Sequence, residues 1–289
     1  MHRRQVLKGL AAMSASGLFR RTVAPRVGYA AITWGSNDNA AINDIADLDY
    51  RGIQLRATTL ASWESRPDAL RELLAAKELT FVALSSGLVR LDPQHEAADL
   101  ALHLRHARFL RDAGGLYLQV VDERPVGRPP ASADYTRMGR LLTELGRRVA
   151  DLGVSLGYHN HMGNLGQSPE DVARVLDAAD ARYVKLQLDT AHWQAAGGDP
   201  VGAIAQYRER LLFMHLKDLA APSAAARGPR FVELGKGTVD VKGIVRALAA
   251  ADWNGWIIVE LDSVPDAGRT PRDCALTSRQ YLQSIGLVP

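Results

Sequence analysis

The feature that most constrains the fold of this chain is an alternation that runs from Arg26 almost to the C-terminus. A short apolar, β-branched or aromatic run is followed by a longer stretch with helical spacing, and then by another short run. Strands joined in this way by crossover helices lie parallel in one sheet. The strands read as Val27–Thr33, Gly52–Arg56, Thr80–Ser85, Leu116–Val121, Val154–His159, Val184–Leu188, Leu212–Leu216 and Trp256–Leu261. Between them the apolar residues recur on one helical face, as Leu141, Leu145 and Val149 do. Eight such units close on themselves, so the expected fold is α/β, a single (β/α)8 barrel, and 289 residues is an ordinary length for one. The chain is 47% hydrophobic, which supplies a large core, and no Pro/Gly/Ser-rich linker divides it. Residues 26–289 are therefore read as one domain. The longest irregular stretch, residues 220–238, follows the seventh strand on the face where barrel enzymes keep their sites.

Residues 1–25 read as targeting sequence. Arg3-Arg4 precede Gln5-Val6-Leu7-Lys8 and a modestly apolar stretch from Gly9 to Phe19. This looks like a twin-arginine export signal and places the protein in a periplasm. The same segment explains the charge. The net charge is +3, but residues 1–24 carry five basic groups and no acid, so the remainder stands at −2. A mildly acidic body gives no electrostatic reason to bind nucleic acid. No apolar run is long enough to span a membrane. A single cysteine, Cys274, excludes an internal disulfide and a cysteine-rich zinc site.

Chemistry-bearing residues gather at the strand ends. Strand five ends Gly157-Tyr158-His159-Asn160-His161-Met162-Gly163, and strand six ends Leu188-Asp189-Thr190-Ala191-His192. Strand seven ends Met214-His215-Leu216-Lys217-Asp218, and strand eight ends Val259-Glu260-Leu261-Asp262. The C-terminal ends of parallel barrel strands converge on one axis, so successive strands can each give one ligand to one ion. His159, Asp189, His215 and Glu260 form such a set. Two imidazoles and two carboxylates suit a divalent ion, Mn²⁺ foremost, with Co²⁺, Zn²⁺ and Mg²⁺ as alternatives. His159 and His161 fall on one face of an extended strand, so either can be the strand-five ligand. His103 and His106 lie within a helix and are read as structural or exposed.

On these motifs the chain resembles the xylose isomerase-like TIM barrel superfamily, the sugar phosphate isomerase/epimerase family, from about Val27 to Leu287. Three segments are similar to its inosose dehydratase-like subgroup. They are Trp34 with Asn37-Asp38, the Gly157–Gly163 segment, and Phe231-Val-Glu-Leu-Gly-Lys-Gly-Thr-Val-Asp240. The resemblance implies metal ligands from strands five to eight. It also implies a glutamate on strand five, where this chain has His159, and one on strand two, where it has Gln54. The lost strand-five glutamate is one of a pair of bases in the epimerases, so its absence favours a one-base elimination.

The chemistry expected of such a site is proton abstraction α to a carbonyl of a keto-sugar or inosose, followed by β-elimination, as in a 3-keto-glycoside lyase or a dehydratase. Glu260 serves as ligand and base, His161 or His192 protonates the leaving group, and Lys217 binds a substrate oxygen. Trp34, Asn37 and Glu233 are substrate-binding candidates. The partner is then a small sugar or inositol derivative, with neither nucleic acid nor membrane, and assembly into a homo-oligomer is left open. The rival readings are isomerisation or epimerisation by reprotonation, a metal nuclease like endonuclease IV, and a non-catalytic sugar-binding barrel.

Overall fold

A computed structural model describes residues 25–222 and 228–287; the leader expected over residues 1–25 lies, but for its last residue, outside them. The eight barrel strands are Arg26–Ala30, Gly52–Arg56, Thr80–Val89, Tyr117–Asp122, Ser155–His159, Val184–Asp189, Leu211–Leu216 and Trp256–Val259. All neighbours pair in parallel, and strand one closes the ring by pairing with strand eight, Gly28 opposite Ile258. Between strands seven and eight the chain inserts a two-stranded antiparallel ribbon, Asp218–Leu219 with Phe231–Val232. No helix among the described residues is long and apolar enough to cross a membrane.

Each barrel strand sends alternate side chains in and out, and the two sets differ in character. The outward set, including Leu118, Val120, Leu186, Leu188, Met214 and Leu216, packs against apolar helix faces such as Leu142, Leu145, Val172, Leu176 and Leu248. Each of these buried side chains contributes about 1.5–3 kcal/mol. The inward set fills the N-terminal half of the barrel with Ala30, Ala83, Phe213, Trp256 and Ile258. Gly52 makes room for this plug, since a Cβ there would meet the Trp256 ring at 2.6 Å. Towards the C-terminal end the inward positions turn polar.

Two strand ends differ from the sequence reading by about a turn; the others agree within one or two residues. Strand one stops at Ala30 and Ala31–Trp34 winds into a 3-10 turn. Strand three runs on to Val89 through a register shift between Ser85 and Leu88. An extra residue of this kind bends the strand and re-aims its side chains. Gly87, at φ 106°, accommodates the bend and Ser86 turns outward.

Candidate metal and catalytic site

The polar rim is built at the inward C-terminal positions of strands five to eight. His159 ends strand five, Asp189 ends strand six, His215 lies one residue before the end of strand seven, and Glu260 follows strand eight. All four side chains are buried. Asp189 also caps the short helix Thr190–Ala195, its Oδ1 accepting the His192 backbone N–H at 2.9 Å. This explains the Asp-x-x-His spacing, because the cap and the residue three positions on must face each other. Asn160 fixes the Asp189 backbone, accepting its N–H at 2.8 Å and donating to its carbonyl at 3.2 Å.

Ligand atoms fall into two overlapping groups, Asp189 with His215 and Glu260, and His159 with Asp189 and His192. Within each group the atoms lie within 4.8 Å of one another. Asp189 belongs to both. The structure thus brings the four expected ligands onto one rim, while His159 shares its closest group with His192 rather than with His215 and Glu260. His215 Nδ1 is 2.9 Å from Glu260 Oε2 and 3.6 Å from Asp189 Oδ2.

Lys217 completes the cluster from strand seven. Its Nζ is 2.6 Å from Asp262, 3.1 Å from Glu260, 3.3 Å from His192 Nε2 and 3.8 Å from Asp189. It also lies 4.2 Å from the centre of the Phe231 ring, which meets His192 edge-on at 4.8 Å. His161 packs its ring 4.0 Å from that of His192, and its Nδ1 is 2.7 Å from the Met162 carbonyl. Because that carbonyl only accepts, Nδ1 carries the proton and Nε2 is left as the reactive nitrogen.

These contacts set the charges. Burial would raise the Glu260 pKa, but His215 and Lys217 hold it well below the usual carboxylate range. Burial works to lower His215, yet the Glu260 and Asp189 carboxylates push it up to about 9. Burial, then the nearby His215, keeps His159 well below its ordinary value and hence neutral. His192 is pulled down to about 3 by burial, with Lys217 adding to the effect and Asp189 opposing it. Lys217 stays an ammonium because the Glu260, Asp189 and Asp262 carboxylates outweigh its burial.

The residues fit a divalent cation. His159 Nδ1 and Asp189 Oδ2 are buried without a hydrogen-bond partner, and His215 Nδ1 faces the Glu260 and Asp189 carboxylates. Buried acceptors of this kind, converging with a second carboxylate, favour a positive charge between them. The mixed N/O donor set suits Mn²⁺, Co²⁺ or Zn²⁺.

A family model for the xylose isomerase-like TIM barrel matches residues 42–285. The chain belongs to that family. Among its relatives is the rhizopine catabolism protein MocC of Rhizobium meliloti, 28% identical over 81% of each chain. The inosose dehydratase of Lacticaseibacillus casei is 25% identical over 91% of this chain and 98% of its own. Among solved structures, an IolI protein with a bound zinc atom superposes with a TM-score of 0.77. It is 16% identical and covers 90% of this chain and 97% of its own. Likeness at that identity is likeness of fold, and the family barrel is what the two share.

Trp34, Asn37 and Glu233, the expected substrate-binding residues, each have partners of their own. The Trp34 indole N–H donates to Asp44 at 2.8 Å and its ring packs edge-on against Tyr29. Asn37 caps the helix Asp38–Asp47, its Oδ1 accepting the Ala40 N–H at 3.2 Å. Glu233 is buried, paired through Oε1 with Lys236 and Arg269, and its Oε2 has no partner. His103 and His106 are buried in the helix Glu96–Asp112. A cleft of about 860 Å³ opens beside the ribbon, lined by Gln194, Leu219, Pro222, Arg230 and Thr238, and contains none of the ligand atoms.

Sequence reasoning missed three contributors. Asp262 and Phe231 carry contacts to Lys217, and Asp122 clamps the loop that bears His161. The Asp122 carboxylate accepts from Tyr158 Oη and from the Gly166 N–H at 2.8 Å. Burial lifts its pKa to about 6 against these hydrogen bonds. Gly166 is obligatory there, since a Cβ would sit 1.7 Å from the Tyr158 hydroxyl. An acidic residue at the end of strand four was the available signal for Asp122; nothing in the sequence foretold its partners.

Proposed function

We propose that this chain is a metal-dependent enzyme that removes a proton α to the carbonyl of a keto-sugar or inosose and completes the reaction by β-elimination. The observation that carries this reading is the convergence of Asp189, His215, Glu260 and His159, with His159 Nδ1 and Asp189 Oδ2 unpartnered, beside the buried ammonium of Lys217. Inosose dehydratases among the relatives act on the same class of substrate. A divalent ion held there would supply neutralisation of the negative charge that develops on the carbonyl oxygen as the C–H bond breaks.

The chain's own groups divide the remaining work. Glu260 is ionised and has a second oxygen beside the one that faces His215 and Lys217, which equips it as the base. Lys217, held by Asp262 and Glu260, presents a fixed positive charge and donor hydrogens to a substrate hydroxyl or carbonyl. His192 is neutral across the physiological range. His161, half-buried at the rim against the His192 ring, is the candidate to protonate the departing group. Elemental analysis of protein purified without chelator is expected to find about one ion per chain. Full activity in the metal-stripped protein would overturn the reading.

One observation favours a second reading. His159 lies outside the Asp189–His215–Glu260 group, and a histidine free of metal can act as a second base opposite Glu260. Such an enzyme would reprotonate its intermediate and work as an isomerase or epimerase. Turnover of a 3-keto-glucoside or an inosose in D₂O separates the two. Release of aglycone or water with an unsaturated ketone supports elimination; deuterium in an epimer or an aldose–ketose pair, with no eliminated product, establishes the second reading.

We also infer export by the twin-arginine route, from Arg3-Arg4 ahead of an apolar stretch. Replacing both with Lys is expected to hold the protein in the cytoplasm. Unchanged fractionation would exclude this route.

A further inference from the structure

Beneath the rim, the inward positions of strands two, four and six are glutamines, Gln54, Gln119 and Gln187, all buried. Inward layers of such barrels are usually filled with branched apolar residues. Two of these amides form a directed chain to a rim histidine. Gln54 Oε1 lies 2.8 Å from His215 Nε2, and Gln54 Nε2 donates to Gln119 Oε1. An amide oxygen only accepts and an amide nitrogen only donates. If Gln119 receives the Gln54 NH₂, the Gln54 oxygen must face His215. His215 must then donate from Nε2, and its Nδ1 is the nitrogen turned towards Glu260 and Asp189.

We propose that Gln119 and Gln54 are positioning residues that fix His215 with its proton on Nε2 and so hold its Nδ1 open for a cation. This rests on the metal reading given above and adds its control. To take a cation His215 must be neutral, and without the chain a neutral His215 has an alternative. It can place its proton on Nδ1, donate to Glu260 Oε2 only 2.9 Å away, and close the site with an internal hydrogen bond. Gln54 alone does not prevent this, because its amide can turn over and offer NH₂ to Nε2. Gln119 supplies the missing constraint without touching His215. A partner that fixes the second nitrogen of a ligating histidine is commonly worth about 10–100-fold in metal affinity.

The test uses the full chain with Gln119→Leu, Gln54→Leu and Gln119→Glu. Glutamate at 119 still accepts from Gln54 and is the conservative rescue. Thermal unfolding first shows which variants are folded. Zn²⁺ affinity is then measured by competition with a chromophoric chelator, and ¹⁵N-histidine spectra of the metal-free protein report whether His215 keeps a slowly exchanging proton on Nε2. The expected result is a loss of about tenfold or more in Zn²⁺ affinity for both Leu variants, and near wild-type affinity for Gln119→Glu. The Nε2 proton should be lost, or exchange much faster, in Gln119→Leu. Folded Leu variants with wild-type affinity and an unchanged Nε2 proton would overturn the proposal. A wild-type protein that keeps the protected Nε2 proton but binds no Zn²⁺ would instead overturn the metal reading. If the Leu variants do not fold, Gln119→Met, close to Gln in volume but unable to accept from an amide, carries the same two readouts.

Discussion

Four histidines sit on the inner rim of the barrel, and two more, His103 and His106, sit outside strand three. Apart from the half-buried His161, both groups are buried, and both involve close ring neighbours. Outside, Ser86 Oγ lies 2.6 Å from His103 Nδ1 and 2.8 Å from His106 Nδ1, and His103 Nε2 is 3.0 Å from the Leu88 carbonyl. That carbonyl only accepts, so His103 donates from Nε2 and accepts the Ser86 hydroxyl at Nδ1. The Ser86 oxygen in turn accepts from His106. The nearby Asp99 carboxylate is turned away to Arg90. In the outer chain every donor meets an acceptor, whereas on the rim His159 Nδ1 and Asp189 Oδ2 meet no donor. Residue type and burial are the same in both places; what separates a candidate site from a structural cluster is the bonding capacity left over.

The largest expected effect breaks the symmetry directly. Glu260→Gln should lower kcat/KM by about 10³-fold or more, in the range of a lost base and a lost charge partner. His106→Asn, which keeps a polar atom near Nδ1, should stay within about threefold. Comparable losses in the two variants would erase the distinction.

Metal removal comes next. Restoring an ion at a hundredfold above its Kd should stabilise the stripped protein by about 2.7 kcal/mol. Calorimetry with and without metal should show the same rise in Tm for wild type and for His106→Asn, and no rise for Asp189→Asn.

The outer cluster should matter to stability alone. Ser86→Ala leaves buried imidazole nitrogens unpartnered and should cost about 1–3 kcal/mol in urea unfolding, with kcat/KM unchanged. It should also respond to acid. Burial lowers the His106 pKa to about 4 from 6.5, with His103 and Arg105 adding to the shift and Glu64 opposing it. Between those values the unfolded chain binds more protons than the folded one, so the contribution of His106 is complete above pH 6.5 and is lost as pH falls towards 4. Urea midpoints at pH 4.5 and 7 should therefore differ less for His106→Asn than for wild type.

The smallest effect concerns a residue with two competing roles. Asn37→Ala should cost about 1 kcal/mol through the lost helix cap, and Asn37→Asp, which still caps, should restore it. If Asn37→Asp regains stability but KM remains raised, Asn37 also contacts substrate.

The eight-fold alternation was legible because each strand has an outward apolar face with its own packing partner. The rim was legible too, since period two along a strand and capping at Asp189 are local rules. Trp34 shows where local rules stop. The resemblance makes it a substrate-binding candidate, and no local rule foretells that its indole N–H donates to Asp44, ten residues on. Ser86 and His103 are 17 residues apart and meet only because a bulge turns Ser86 outward. Gln54 stood out as a departure from the family pattern, while Gln119 gave no signal; their contact spans 65 residues. Pairing across strands depends on register, and two misplaced strand ends were enough to hide it.

The closing seam of the barrel has a consequence for how the site comes into being. The Thr33 hydroxyl bonds the Leu261 carbonyl across 228 residues of chain, one position beyond Glu260. Contacts of such separation form late, because loop closure must precede any gain from them. The seam and the Glu260 carboxylate are delivered by the same few residues. A nascent chain that has emerged only as far as strand seven has an open ring and lacks Glu260, and it acquires both together. Closing the ring and completing the acidic rim are thus one kinetic event.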